Sequence, residues 1–177
     1  MIMTNLQAAL RTTMNFCTEL PSVLKHVNRH LCENLRDDMF VTLFLGIFDA
    51  KEGTLTYINA GHLEPVITSV SEPARLLDGS GNIPLGILDQ PFEAAVEIIP
   101  AETALLVVTD GVSETFSPEG EEYGTERLLE LINSADVQSA EGMVQLVSNG
   151  ISSFRGALAR HDDTTIFSLV NTAPSVG

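Results

Sequence analysis

The run Phe40-Val41-Thr42-Leu43-Phe44-Leu45-Gly46-Ile47-Phe48, then Ala50-Lys51-Glu52-Gly53, then Thr54-Leu55-Thr56-Tyr57-Ile58-Asn59-Ala60 decides the fold class of this chain. The first stretch is apolar on both faces, as expected of a central strand. The four residues 50–53 read as a short hairpin loop, with Gly53 free to take positive φ. Residues 54–60 return as a second strand rich in Thr, Tyr and Ile. Strands joined this closely pair antiparallel.

The flanks extend the pattern. Upstream, Met3, Leu6, Leu10 and Thr13/Met14 recur on one helix face. A second helix starts at Pro21, a residue suited to a first helical turn, and carries Leu24, Val27, Leu31 and Leu35 on one stripe. Downstream, strands are expected over 65–70, 95–99, 104–109 and 165–170. The tight turn Pro100-Ala101-Glu102-Thr103 predicts that the strands on either side of it pair with each other. A glycine-rich loop spans 79–86. Thr125 is placed to cap a helix bearing Leu128, Leu129 and Ile132, and Ser139 to cap one bearing Met143, Val147, Ile151, Phe154 and Leu158. This order predicts an α+β fold, helices covering an antiparallel sheet, in a single domain spanning 1–177.

Composition narrows the function. Among 177 residues, 9 Lys+Arg against 24 Asp+Glu give a net charge of −15. No basic surface is available to hold nucleic acid or an anionic membrane. With 44% hydrophobic residues the chain can bury a core, yet no apolar run approaches the roughly 20 residues of a membrane span. Cys17 and Cys32 are too few for a disulfide scaffold and read as buried or half-buried thiols. The expectation is a soluble cytoplasmic protein.

Two acidic points carry the chemistry. The buried strand Ala104-Leu105-Leu106-Val107-Val108 ends in Thr109-Asp110-Gly111, so the Asp110 carboxylate sits on a rigid platform suited to holding a metal; the alternative is a simple Asp-Gly turn. The second point, His161-Asp162-Asp163-Thr164-Thr165, opens the last strand. Adjacent carboxylates there require a cation, a helix N-terminus or plain solvent. If antiparallel neighbours bring both points to one rim, their hard oxygen donors select Mg²⁺ or Mn²⁺ over zinc. Between strands lies Asn59-Ala60-Gly61-His62, where His62 fits a proton donor, a phosphate contact or a loop-fixing hydrogen-bond donor, the last being preferred. His26 and His30 are four apart on a helix but lack the glutamate of a metalloprotease motif. The sequence holds no P-loop, dinucleotide fingerprint or nucleophile elbow.

Phe40-Val41-Thr42-Leu43-Phe44, Asn59-Ala60-Gly61-His62, Ile83-Pro84-Leu85-Gly86, Thr109-Asp110-Gly111-Val112-Ser113-Glu114 and Asp162-Asp163-Thr164-Thr165 occur in this order, with Tyr123-Gly124-Thr125-Glu126-Arg127-Leu128 before the last. Together they resemble the SpoIIE-like bacterial branch of the metal-dependent (type 2C) serine/threonine protein phosphatases. The resemblance implies two antiparallel sheets stacked as a β-sandwich with helices outside, and a Mn²⁺ or Mg²⁺ centre that hydrolyses a phosphoserine or phosphothreonine ester with a metal-activated water. It assigns metal binding to Asp110 and Asp162, with Asp163 a ligand or a contact to a metal-bound water. Gly111, Asn59, Gly61, His62 and Thr165 become supporting residues. The implied partner is a phosphorylated anti-sigma-factor antagonist, with a receiver or sensor domain upstream.

The family also carries an Asp-x-Ser-Gly-His-Gly-like segment before the first helix, and this sequence begins at that helix. The resemblance therefore implies an N-terminally truncated domain, the C-terminal portion of a larger protein. With Asp110, Asp162 and Asp163 as the carboxylates, one weakly held metal and weak or absent activity are expected. Unpaired sheet edges would leave room for a homodimer. The rival reading is a non-catalytic partner-binding module that keeps the fold.

Overall fold

The computed structural model describes residues 2–36, 39–79, 81–135, 139–159 and 162–172. In chain order it comprises α1 (Ile2–Met14), α2 (Leu20–Asn34), β1 (Leu43–Asp49), β2 (Thr54–Ala60), β3 (Val66–Ser69), β4 (Arg75–Leu76), β5 (Ala95–Ile98), β6 (Thr103–Val108), α3 (Asp110–Ser113), α4 (Gly124–Asn133), α5 (Ala140–Arg155) and β7 (Ile166–Asn171). The strand pairs are antiparallel, in two sheets of order β1-β2-β5 and β4-β3-β6-β7. The α+β class with antiparallel sheets and helices is thus as the patterning predicts.

The chain forms two compact units, Met1–His62 with Gly79–Ile98, and Leu63–Asp78 with Ile99–Gly177. In the first, the α2 stripe Leu20, Val23, Leu24, Val27 and Leu31 packs with Leu6 of α1 on Ile58 and Ala60 of β2, closed by Leu85 and Phe92. Pro21 stands in the first turn of α2 as the sequence predicts. In the second, Leu128 and Ile132 of α4 and Met143, Val147 and Ile151 of α5 cover Val66, Ala104, Leu106 and Val108. Each buried Leu, Ile, Val, Met or Phe among them contributes about 1.5–3 kcal/mol of transfer free energy. The described residues contain no helix long and apolar enough to cross a membrane.

Four expectations are corrected. The apolar run at 40–48 forms β1 from Leu43 onward, and its one neighbour among the described strands is β2, so it lies at a sheet edge. Its two-faced hydrophobicity has another cause: Leu43 and Leu45 pack on the helical core, while the Phe44 ring lies 5.5 Å from that of Tyr57. The turn after β5 does not fold it onto β6. β5 pairs with β2, and β6 with β3 and β7. The turn is instead held by β7: Glu102, at φ 62, donates its N–H to the Asn171 carbonyl, and Asn171 Nδ2 donates to the Ile99 carbonyl.

Thr125 is not a cap, because α4 begins at Gly124 with Tyr123 before it and no side-chain bond there. Leu158 lies beyond α5, which stops at Gly156. Ser139 does cap α5, its Oγ accepting from the Gly142 N–H at 3.0 Å. The two-residue β4 and the single turn α3 went unforeseen.

Candidate functional site

β6 delivers four buried residues in succession, Thr103 to Leu106, and hands over to α3 at Asp110. Thr109 is the clasp that binds this strand end to the entrance of β7. Its N–H donates to the Thr165 carbonyl at 3.1 Å, and its Oγ1 receives the Thr165 N–H at 2.9 Å. The same hydroxyl donates to the Asp163 carbonyl at 3.3 Å. Thr164 Oγ1 donates to the Gly111 carbonyl at 3.4 Å, and Thr115 Oγ1 to the same carbonyl at 2.8 Å.

Gly111 is required here for space. It is buried, its φ is not positive, and a methyl group on it would strike the Asp163 carbonyl oxygen while lying 3.0 Å from the carbonyl carbon. The glycine permits close approach of two backbones; the freedom to turn, for which the sequence seemed to select it, is not used.

The structure therefore brings the 109–111 and 162–165 segments together. Asp110 and Asp162 are both exposed at this junction. Each carboxylate accepts the next residue's N–H on Oδ1: Gly111 to Asp110 at 2.9 Å, Asp163 to Asp162 at 2.7 Å. Such bonds orient a carboxylate and leave Oδ2 available. Asp163 and Thr165 enter through their backbones, in the bonds already given. His161, quoted with this motif, lies outside the described residues.

The donor chemistry fits a hard divalent cation. Oxygen-only carboxylates suit Mg²⁺, which is commonly held by one or two of them with water and substrate phosphate completing the shell. Among the described residues no group of three or more His, Cys, Asp and Glu side chains converges on a metal-sized site.

Asn59, Gly61 and His62 belong to the first unit and build a closed loop there. Asn59, 7% exposed, brackets it: Nδ2 donates to the His62 carbonyl at 2.9 Å and Oδ1 accepts the His62 N–H at 2.8 Å. Gly61 takes φ +69 with its α-carbon against the Pro84 ring, so a side chain there would be both strained and obstructed. These bonds fix the loop through the Asn59 side chain and the His62 backbone.

Sequence reasoning missed Asn28. Fully buried on α2, it donates through Nδ2 to the Leu88 carbonyl and accepts the Gly86 N–H on Oδ1, both at 2.8 Å. An Asn inside an otherwise apolar helix stripe was the available signal. Leu85 and Val41 exchange two backbone bonds, so the Pro-Leu-Gly loop is fastened at Leu85 as well as at Gly86. His26 and His30 serve α2 locally: His26 Nδ1 lies 2.8 Å from the Ser22 carbonyl and His30 Nδ1 3.3 Å from Asn34 Nδ2. Cys17 and Cys32 are free and half-buried.

Comparison with known proteins gives this arrangement a setting. Residues 1–170 match the family described as Stage II sporulation protein E (SpoIIE). Protein IcfG of Synechocystis sp. is 32% identical over 133 residues, 74% of this chain and 20% of that protein. The structure of the RsbU and RsbW domains of Rv1364c from Mycobacterium tuberculosis superposes with a TM-score of 0.79 at 25% identity, covering 98% of this chain and 48% of that one. The PP2C phosphatase domain of SpoIIE from Bacillus subtilis, solved with a fragment of its regulatory domain, gives 0.79 at 18% identity over 93% and 48%. At that identity it speaks for the fold alone. The chain thus spans about a fifth of the curated relative and about half of either solved chain.

Proposed function

The chain belongs to the SpoIIE family, homologous to PP2C-type serine/threonine phosphatases, and on that footing we propose that it is the phosphatase domain of a signalling regulator. Its substrate would be a phosphoserine or phosphothreonine on a small partner protein of the anti-sigma-factor-antagonist type. Asp110 and Asp162 would hold Mn²⁺ or Mg²⁺, with Asp163 beside them. RsbX is solved in complex with magnesium, and the catalytic domain of PstP with 2 manganese ions. When bound, such an ion neutralises charge on the phosphoryl oxygens and acidifies water.

The chain's own residues do the positioning. The Gly111 and Asp163 N–H groups fix the carboxylates of Asp110 and Asp162, and Thr109 keeps the two segments in register. The Asp110 and Asp162 carboxylates, being exposed and acceptor-only, are suited to bind the cation and orient water toward phosphorus. In this reading a receiver or sensor domain upstream would be the source of regulation.

The observation that carries this reading is the clasp between Thr-Asp-Gly and Asp-Asp-Thr-Thr, two motifs more than fifty residues apart joined by a backbone bond from Thr109 to Thr165 and by the Thr109 hydroxyl. Its test is phosphate release from a phosphoserine protein substrate with Mn²⁺. Asp110→Asn and Asp162→Asn should each lower the rate at least about 100-fold, about 2.7 kcal/mol in activation free energy. Unchanged hydrolysis in either would overturn the assignment. The absence of a third metal-type side chain among the described residues favours the rival, a partner-binding module without chemistry. That reading predicts no metal-dependent release from the wild-type chain.

A further inference from the structure

Beside the clasp, within the second unit, opens a cavity of about 270 Å³ lined by Arg155, Glu114, Phe116, Leu158, Asp162 and Thr164, among others. Among the described residues Arg155 is its one cationic lining residue. The side chain leaves the last turn of α5, where the helix carbonyl ends favour a positive charge. Its Nε is buried and, among the described residues, has no hydrogen-bond partner. Among the described residues its guanidinium makes no ion pair either, in contrast to Arg29 with Asp89 and Arg127 with Glu121. A buried N–H without an acceptor costs about 1–3 kcal/mol, so beside the cavity the guanidinium carries a donor that no described residue satisfies.

Two features say what kind of oxygen. A guanidinium fork matches the paired oxygens of phosphate or carboxylate, and the apolar wall of Phe116 and Leu158 lowers local screening around the pair. Glu114 and Asp162 line the same cavity and would repel an anion unless a cation offsets Asp162. That balance favours an anion arriving together with a divalent ion.

We propose that this cavity is an oxyanion subsite in which Arg155 grips a phosphoryl oxygen of the substrate or of the released phosphate. The proposal takes the identity of the anion from the phosphatase reading, while the binding itself is separable from turnover. Arg155 is a substrate-binding residue here, and Glu114 a charge that sets the subsite's affinity.

Inorganic phosphate is the probe, titrated into the chain with and without Mg²⁺ and followed by ³¹P NMR line broadening. Arg155→Gln should weaken binding about tenfold or more, Arg155→Lys should recover part of it, and the exposed Glu114→Gln should tighten it severalfold. In hydrolysis assays Arg155→Gln should raise KM far more than it lowers kcat. Failure of wild type to bind phosphate, wild-type affinity in Arg155→Gln, or an unmoved affinity in Glu114→Gln would each overturn the subsite. Because Glu114 is a surface residue, the last arm stands even if Arg155→Gln misfolds. Hydrolysis that depends on Asp110 but ignores Arg155 would sink this inference alone. Phosphate binding without Asp110-dependent hydrolysis would sink the phosphatase reading alone.

Discussion

Replacing Gly111 with alanine tests whether close approach of two backbones is what holds the acidic junction together. The added methyl meets the Asp163 carbonyl oxygen head-on and sits 3.0 Å from its carbon and 3.2 Å from Thr164 Oγ1. The two carbonyl atoms are backbone and cannot swing aside as the end of a flexible side chain would. Relief requires moving the strand entrance that Thr109 clamps by three hydrogen bonds. Overpacking of this kind costs about 1–3 kcal/mol, while alanine in place of glycine returns about 0.4–1 kcal/mol through the unfolded state. The net expectation is a loss of about 1–2 kcal/mol, or roughly 2–8 °C in Tm for a chain of this length. Urea denaturation of Gly111→Ala against wild type measures it, with Gly81→Ala as control, since nothing lies within 4 Å of a methyl placed there. Metal-dependent phosphate release should fall in the same variant, because Asp110 and Asp162 move apart with the segments that carry them. Full stability in Gly111→Ala would refute the packing argument.

Two further outcomes follow from groups on α2. Asn28→Ala strands the Gly86 N–H and the Leu88 carbonyl and should cost about 2–4 kcal/mol in urea denaturation; a loss below about 1 kcal/mol would mean water replaces the amide. Burial, and then the negative charge of Asp89, push the Cys32 thiol above its ordinary value. A raised native pKa gives stability that is complete at low pH and is lost as pH rises from the unfolded value of about 8.5. Wild type should therefore lose stability relative to Cys32→Ser above that pH, and parallel pH profiles would contradict the assignment.

The helices and the pairing of β1 with β2 were legible because period and turn chemistry are local. Pro21 marks a helix start and Ser139 a cap through bonds made within a few residues. What the sequence could not show depends on distant partners. Whether the turn at 100–103 closes a hairpin is decided by Asn171, seventy residues on, which takes the N–H of Glu102. A strand apolar on both faces can sit at an edge when the core takes Leu43 and Leu45 on one side and Tyr57 meets Phe44 on the other.

The acidic motifs were visible as residue types, but not the reason for their glycine, which is the carbonyl of Asp163. Arg155 gave no signal at all. Its interest comes from an Nε that is buried and, among the described residues, unpartnered, a property of the folded chain. Asn28 gave only a weak one, a polar residue on an apolar stripe, whose meaning depends on a loop nearly sixty positions away.

The most direct measurement is a calorimetric titration of Mn²⁺ into the wild-type chain, Asp110→Asn and Asp162→Asn, each first confirmed folded by circular dichroism. Carboxylates from two clasped segments should offer one weak site, lost in both variants. Binding that survives either substitution, or two tight sites in the wild type, would contradict the account.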